Sequence, residues 1–73
     1  MKEPTMTLHE CAEAFRANRI SISEARVADG IYSGQFAEFA VPLVGKSSRC
    51  PMIFRRRFYR WLGAMLEEDP VEI

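Results

Sequence analysis

The sequence predicts a small α+β domain in which a two-stranded β-hairpin lies between the second and third of three helices. Capping signals open apolar repeats of helical period near residues 8 and 24. Strand-forming residues flank a polar turn at residues 45–49, and helical periodicity returns from residue 55. The 73 residues suffice for one domain, residues 1–73, with an expected ordered core of about 6–67.

The first helix opens with a reciprocal pair of capping residues. Thr7 is followed three positions later by Glu10, so each side chain can bond the backbone N–H of the other residue. Apolar residues then recur on one helical face: Leu8, Cys11, Ala12 and Phe15. We predict a helix over residues 8–16, with His9 on its solvent-facing side.

Two starts are open for the second helix. Ser21 and Glu24 form another capping box, whereas Ser23 as the cap would place apolar residues on both sides of the helix start; we favour Ser23. The helix then runs to about residue 33, and Gly34 is its left-handed terminal residue. Gly30 would lie inside it at a cost of about 1 kcal/mol relative to alanine, unless the helix ends there in a turn.

A β-hairpin follows, centred on the polar residues 45–49. Strand-forming residues lie on both sides of this turn: Phe36, Phe39, Val41, Met52, Ile53 and Phe54. Pro42 and Pro51 each remove a backbone donor, so the hairpin must be short, irregular or at an edge. Cys50 is expected on the second strand.

The third helix is predicted over residues 55–67. Its apolar face carries Phe58, Trp61, Leu62 and Met65. Arginines at its start and glutamates at its end both oppose the helix dipole, at about 0.3–1 kcal/mol per charge, which suggests that the arginines serve a partner. We expect residues 69–73 to be a frayed acidic tail.

Five large apolar residues are assigned to the core rather than to stacking on nucleotides: Phe15, Phe36, Phe58, Trp61 and Leu62.

Charge is unevenly distributed along a chain whose formal net charge is zero. Residues 1–15 carry a net charge of −2, residues 16–60 carry +6 and residues 61–73 carry −4. Screening limits the reach of these charges to about 8 Å at physiological salt, so local potential decides binding to phosphate. A basic face is therefore compatible with the neutral total.

Several function classes are disfavoured by composition. No apolar run approaches the ~20 residues that cross a bilayer, and residues 1–7 lack the apolar block of a signal peptide, so we expect a cytoplasmic protein without membrane contact. Two widely spaced cysteines and one histidine predict neither a disulfide framework nor a metal site. Cys11 is interpreted as a small core residue. We find no catalytic constellation or phosphate loop, and predict a protein that is not an enzyme and uses no cofactor.

Four short segments carry a family resemblance: residues 7–13, 23–36, 47–49 and 53–62. The first reads Thr-Leu-His-Glu-Cys-Ala-Glu, and the last reads Ile-Phe-Arg-Arg-Arg-Phe-Tyr-Arg-Trp-Leu. Together they resemble the MerR-like excisionases of mobile elements and phages. The resemblance implies a winged helix-turn-helix whose second helix enters the major groove while the hairpin, or wing, contacts backbone or minor groove. It also implies duplex DNA as the partner, with an integrase or recombinase beside it.

Three groups of candidate DNA-binding residues follow from this resemblance and from the charge pattern. Base edges would be contacted from the second helix by Ala25, Arg26, Asp29, Tyr32 and Ser33. Arg26 is the preferred base reader, because bidentate arginine to guanine is the commonest specific contact. The wing tip comprises Lys46, Ser47, Ser48 and Arg49. Phosphate contacts are assigned to Arg55, Arg56, Arg57 and Arg60, joined by Arg16 and Arg19.

Three functions remain open from the sequence. The first is an excisionase-like architectural factor, a monomer or weakly cooperative on DNA, and the second is a small transcription regulator that binds an operator as a dimer. The third is a protein-interaction module on the same fold, since Arg26 on the second helix is offset by Glu24 and Asp29. DNA binding requires the mid-chain basic residues to gather on one surface beside the second helix and the wing.

Overall fold

The computed structural model describes residues 3–44 and 50–73. Within these residues three helices and three short strands follow one another in this order: β1 (Thr5–Met6), α1 (Leu8–Ala17), α2 (Glu24–Tyr32), β2 (Ala40–Val41), β3 (Met52–Phe54) and α3 (Arg55–Leu66). The predicted α+β class and the order of the helices are confirmed, and the arrangement is that of a small winged-helix-like fold. None of the helices among these residues is long and apolar enough to cross a bilayer.

The capping box predicts the start of α1 correctly. The Glu10 N–H donates to the Thr7 hydroxyl at 3.0 Å, and the Thr7 N–H donates to the Glu10 carboxylate at 2.8 Å. Two otherwise unpaired donors at the helix start are thereby satisfied. The helix ends at Asn18, after which Arg19 takes a left-handed conformation with φ of 66°.

Ser23, and not Ser21, caps α2. The Arg26 N–H donates to the Ser23 hydroxyl at 3.2 Å, as the favoured prediction requires. Gly34 has φ of +88° in the turn behind the helix, which confirms its left-handed conformation. Gly30 is buried inside the helix, and glycine is favoured there because a Cβ would overlap the Phe36 ring.

Within the described ranges the sheet has three strands, so the predicted two-stranded hairpin is joined by a further strand, β1. β3 lies in the centre, in the order β1-β3-β2, and both neighbours are antiparallel to it. Met6 and Ala40 flank Ile53 on either side, and all three residues are buried. With only two residues, β1 is too short to show an alternating pattern in the sequence.

The first strand of the hairpin is shorter than its β-forming residues suggest. Residues 34–39 form turns, and the Ala40 N–H donates to the Phe36 carbonyl at 3.0 Å, so the predicted strand character of Phe36 and Phe39 is wrong. Phe36 instead covers Gly30, and this tertiary contact overrides local strand propensity. Cys50 lies in the loop before β3 and not on the strand.

An aromatic cluster forms the middle of the core, at ring-centroid distances of 5.0–6.4 Å: Phe15, Phe36, Phe39, Phe58, Trp61 and Tyr59. Phe15, Phe58 and Leu62 are buried as predicted, while Phe36 and Trp61 are half-buried against them. Met65 is 66% exposed, so its assignment to the core face is wrong. It lies in the last turn of α3.

The acidic C-terminal residues pack against the domain, which makes the prediction of a frayed tail wrong. The Asn18 side chain donates to the Val71 carbonyl at 2.9 Å and accepts from the Val71 N–H at 2.7 Å. The Ile73 N–H donates to the Tyr59 hydroxyl at 3.3 Å. These three bonds hold residues 69–73 between the end of α1 and the side of α3.

Replacing Gly30 with alanine is expected to lower the free energy of unfolding by about 1–3 kcal/mol, because the added methyl group must displace the Phe36 ring. Urea or thermal unfolding measures this loss, at about 4–8 °C of melting temperature per kcal/mol in a domain of this size. In a Phe36→Ala background the same change should stabilise by up to about 1 kcal/mol, since alanine is the better helix former. A loss that persists without the ring would contradict the contact.

Candidate nucleic-acid interface

A group of exposed, hydrogen-bonded side chains links α1 to α2. His9 Nδ1 lies 3.0 Å from the Glu24 carboxylate, and His9 Nε2 lies 3.3 Å from the Glu13 carboxylate. The hydrogen bond with Glu24, supported by the nearby charge of Glu13, raises the pKa of His9 above 6.5. His9 is exposed, as predicted, but it also joins α1 to the first turn of α2. Its spacing from Glu13 is visible in the sequence, whereas its contact with Glu24 is not.

The outward face of α2 carries most of the predicted base-contacting residues. Val27 and Ile31 are buried in the core. On the solvent side the helix exposes four of the five candidates: Ala25, Arg26, Asp29 and Ser33. Among the described residues Arg26 makes no ion pair, so its guanidinium is available to a ligand. This face combines one long cationic side chain with small neighbours.

Tyr32, the fifth candidate, connects α2 to the wing. Its hydroxyl donates to the Leu43 carbonyl, which follows β2. The Cys50 N–H also donates to the Leu43 carbonyl, at 3.3 Å, and brings the two arms of the wing together. The base of the wing is therefore held beside the C-terminal end of α2. The predicted wing-tip residues Lys46, Ser47, Ser48 and Arg49 lie outside the described residues.

Arg55 is part of the fold and does not extend from the surface as a phosphate ligand would. Its side chain is only 12% exposed and lies 3.6 Å from the Glu10 carboxylate. The guanidinium also donates to the Glu3 carbonyl at 2.9 Å and to the Thr5 carbonyl at 3.2 Å. The Thr7 backbone N–H, assisted by Arg55, holds the pKa of the Glu10 carboxyl below its ordinary value. Arg55 therefore attaches β1 to the start of α3.

The other three arginines of α3 share its outward side. Arg56, Arg57 and Arg60 are exposed, and a helical step of about 100° places all three within one arc. Arg57 also lies over the Phe54 ring, at 5.5 Å from its centroid, a cation–π arrangement. The three consecutive arginines thus divide into one inward and two outward residues.

The described arginines are divided among several elements, and Lys46 and Arg49 of the expected basic face lie outside the described residues. α2 packs on α1, while α3 packs on β3, and α2 and α3 make little direct contact with each other. Arg16 and Arg19 lie at the end of α1 and in the turn before α2, and both are exposed. Arg56 and Arg60 instead line a groove together with Pro4, Pro70 and Glu72.

The remaining reactive side chains do not form a chemical centre within the described part of the chain. Cys11 and Cys50 are both free thiols. Burial raises the pKa of the Cys11 thiol to about 12, so this residue stays protonated in the core. No group of three or more histidine, cysteine, aspartate or glutamate side chains is arranged to hold a metal ion in residues 3–44 and 50–73.

Comparison with known proteins adds no relative to this description. No protein-family model matches the chain, and neither the curated proteins nor the solved structures yield a match.

We expect the contact of His9 with Glu24 to stabilise the domain more at acidic than at alkaline pH. Because folding raises the pKa of His9, this contribution is fully present below the ordinary pKa of 6.5 and is lost as the pH rises through the raised value. Urea unfolding between about pH 5.5 and pH 8.5 should show a decline that His9→Gln and Glu24→Gln both reduce. Glu38→Gln, a change at an exposed residue, is the control and should retain the decline. An unchanged decline in His9→Gln would contradict this role.

Proposed function

We propose that the protein binds duplex DNA through the outward face of α2 and the wing, as an excisionase-like architectural factor. One observation carries this proposal: the hydrogen bond from the Tyr32 hydroxyl to the Leu43 carbonyl ties the wing to the end of an exposed helix. A helix and a hairpin fixed beside each other can enter the major groove and reach the adjoining backbone in one docking event.

The side chains of α2 suit close approach to base edges. Ala25 and Ser33 are small and exposed, so the helix axis can lie deep in a major groove about 12 Å wide. Arg26 can form a bidentate contact with guanine, and the Asp29 carboxylate can accept from the cytosine amino group. Both members of a G·C pair are therefore matched by side chains on this helix.

Phosphate contacts are assigned to basic residues around α2. Arg16 and Arg19 lie at the turn before the helix, and Lys46 and Arg49 belong to the wing tip that the sequence predicts. Arg55 is excluded from this set because its guanidinium is engaged with β1 and Glu10. The expected footprint is small, on the order of the 600–1,000 Å² that single DNA-binding modules bury.

A module of this size favours an architectural role over independent regulation. Its few contacts give modest affinity alone, so repeated sites or a neighbouring recombinase on the same DNA would supply the remainder. An operator-binding dimer would instead protect two half-sites about one helical turn apart. Footprinting on the ends of an integrated element distinguishes these two roles.

Duplex binding should depend steeply on salt. The four basic residues assigned to phosphates predict a log–log slope of about −3.6, because each neutralised phosphate contributes about −0.9. Fluorescence anisotropy of a labelled duplex at increasing salt measures the slope. The proposal fails if the protein binds no duplex at about 50 mM salt.

Arg26→Ala should weaken binding to a preferred duplex by about 5- to 150-fold, the equivalent of 1–3 kcal/mol, and should relax base preference at one position. Arg57→Ala is the matched control, since it removes an exposed arginine from α3 and should leave duplex affinity within about twofold. Equal losses in the two variants would indicate nonspecific attraction and contradict the assignment of α2 as the reading helix.

A further inference from the structure

An open groove of about 1020 Å³ runs along α3 on a surface that the proposed DNA interface does not use. We call it the basic groove. Its walls come from the N-terminal segment, from β3 and α3, and from the C-terminal segment, and include Pro4, Phe54, Arg56, Tyr59, Arg60 and Pro70. Within the described ranges no residue of α2 lines it.

Four arginines line the basic groove; Arg55 is held by the fold, and the other three make no ion pair with a described residue. Arg56, Arg57 and Arg60 make no ion pair with any residue in the ranges 3–44 and 50–73. Phe54 caps α3 without a side-chain hydrogen bond, and the first turn contains no acidic residue. Cations there oppose the helix dipole, and no ion pair within the described part of the domain offsets this cost, although Arg57 also lies over the Phe54 ring.

The other walls of the groove favour a polypeptide over a nucleic acid. Phe54, Pro4 and Pro70 supply apolar surface, while Glu3 and Glu72 place carboxylates beside the arginines. A continuous phosphate backbone would meet these carboxylates, and the convex duplex fits poorly into a concave site. Separate acidic side chains on an extended chain can reach the arginines while apolar side chains contact the prolines and the ring.

The C-terminal segment shows that an extended acidic chain can lie along this side of the domain. The Asn18 side-chain amide bonds to both the N–H and the carbonyl of Val71, so the pairing involves the backbone of Val71 and not its side chain. Glu72 follows directly and lines the groove, yet forms no ion pair with a described arginine. The arginine charge thus remains available to a second acidic segment.

We propose that the basic groove docks an extended, acidic segment of a partner protein, with glutamate or aspartate on Arg56, Arg57 and Arg60 and an apolar side chain against Phe54 and Pro4. The interaction is independent of duplex binding by α2. A protein bound to DNA through α2 would therefore keep the exposed arginines of α3 free to bind a partner protein.

Fluorescence anisotropy of the full chain tests this, with a fluorescein-labelled peptide in which glutamates alternate with leucine and proline. Replacing both Arg56 and Arg60 with glutamate should weaken peptide binding by at least about tenfold. Arg19→Glu introduces a charge change of the same kind outside the groove and should leave the affinity for the peptide within about twofold. Chemical-shift changes in the ¹⁵N-labelled chain should centre on Phe54, Tyr59 and Glu72.

Three outcomes overturn the proposal: no binding of the glutamate peptide, equal loss in Arg19→Glu, or competition between the peptide and a DNA duplex for the same arginines. If the double glutamate variant fails to fold by circular dichroism, Arg56→Gln with Arg60→Gln replaces it under the same criteria. Failure of DNA binding is detected separately, because Arg26→Ala should weaken the duplex and leave peptide affinity unchanged. Peptide binding without duplex binding would refute the proposed function and support the basic groove.

Discussion

The structure depends on an aromatic cluster that no single element could bury alone. Phe15 of α1 contacts Phe58 and Trp61 of α3, and Phe39, before β2, contacts the same two residues. A chain of 73 residues leaves a large part of its surface exposed, so a few large rings must supply much of the apolar burial. Because the rings come from α1, α3 and the turn segment before β2, packing the cluster fixes the positions of these three parts together.

This packing also determines which charged side chains face outward. Arg55 immediately follows β3, so its direction is set by the sheet, and it turns toward β1 and Glu10. One and two residues later, the helix has rotated Arg56 and Arg57 to the solvent. α2 buries its inner face elsewhere in the core and has little contact with α3. A basic run that is continuous in sequence is therefore divided between a structural role and a separate surface.

Features encoded by neighbouring residues are the ones that the sequence predicts well. The caps at Thr7 and Ser23 and the left-handed Gly34 depend on interactions within one turn, and all three are confirmed. The failures concern contacts between distant segments. β1 exists because Met6 lies beside Ile53, and the C-terminal residues are ordered because Asn18 binds Val71. Neither contact leaves a periodic signal, since one involves two residues and the other a single side chain.

The same distinction applies to the candidate interface. Exposure of Arg26 follows from the periodicity of α2, so the sequence predicts it. The hydrogen bond from the Tyr32 hydroxyl to the Leu43 carbonyl cannot be predicted in this way, because it depends on where the wing lies in the folded domain. The distribution of charge over the surface is the hardest property to predict from the sequence. The acidic C-terminal segment docks at Asn18, which is distant from it along the chain. Its docking brings Glu72 against α3. With screening over about 8 Å, that carboxylate lowers the positive potential around the arginines that line the same groove. A neutral chain can therefore present a groove in which arginines lie beside carboxylates and apolar walls.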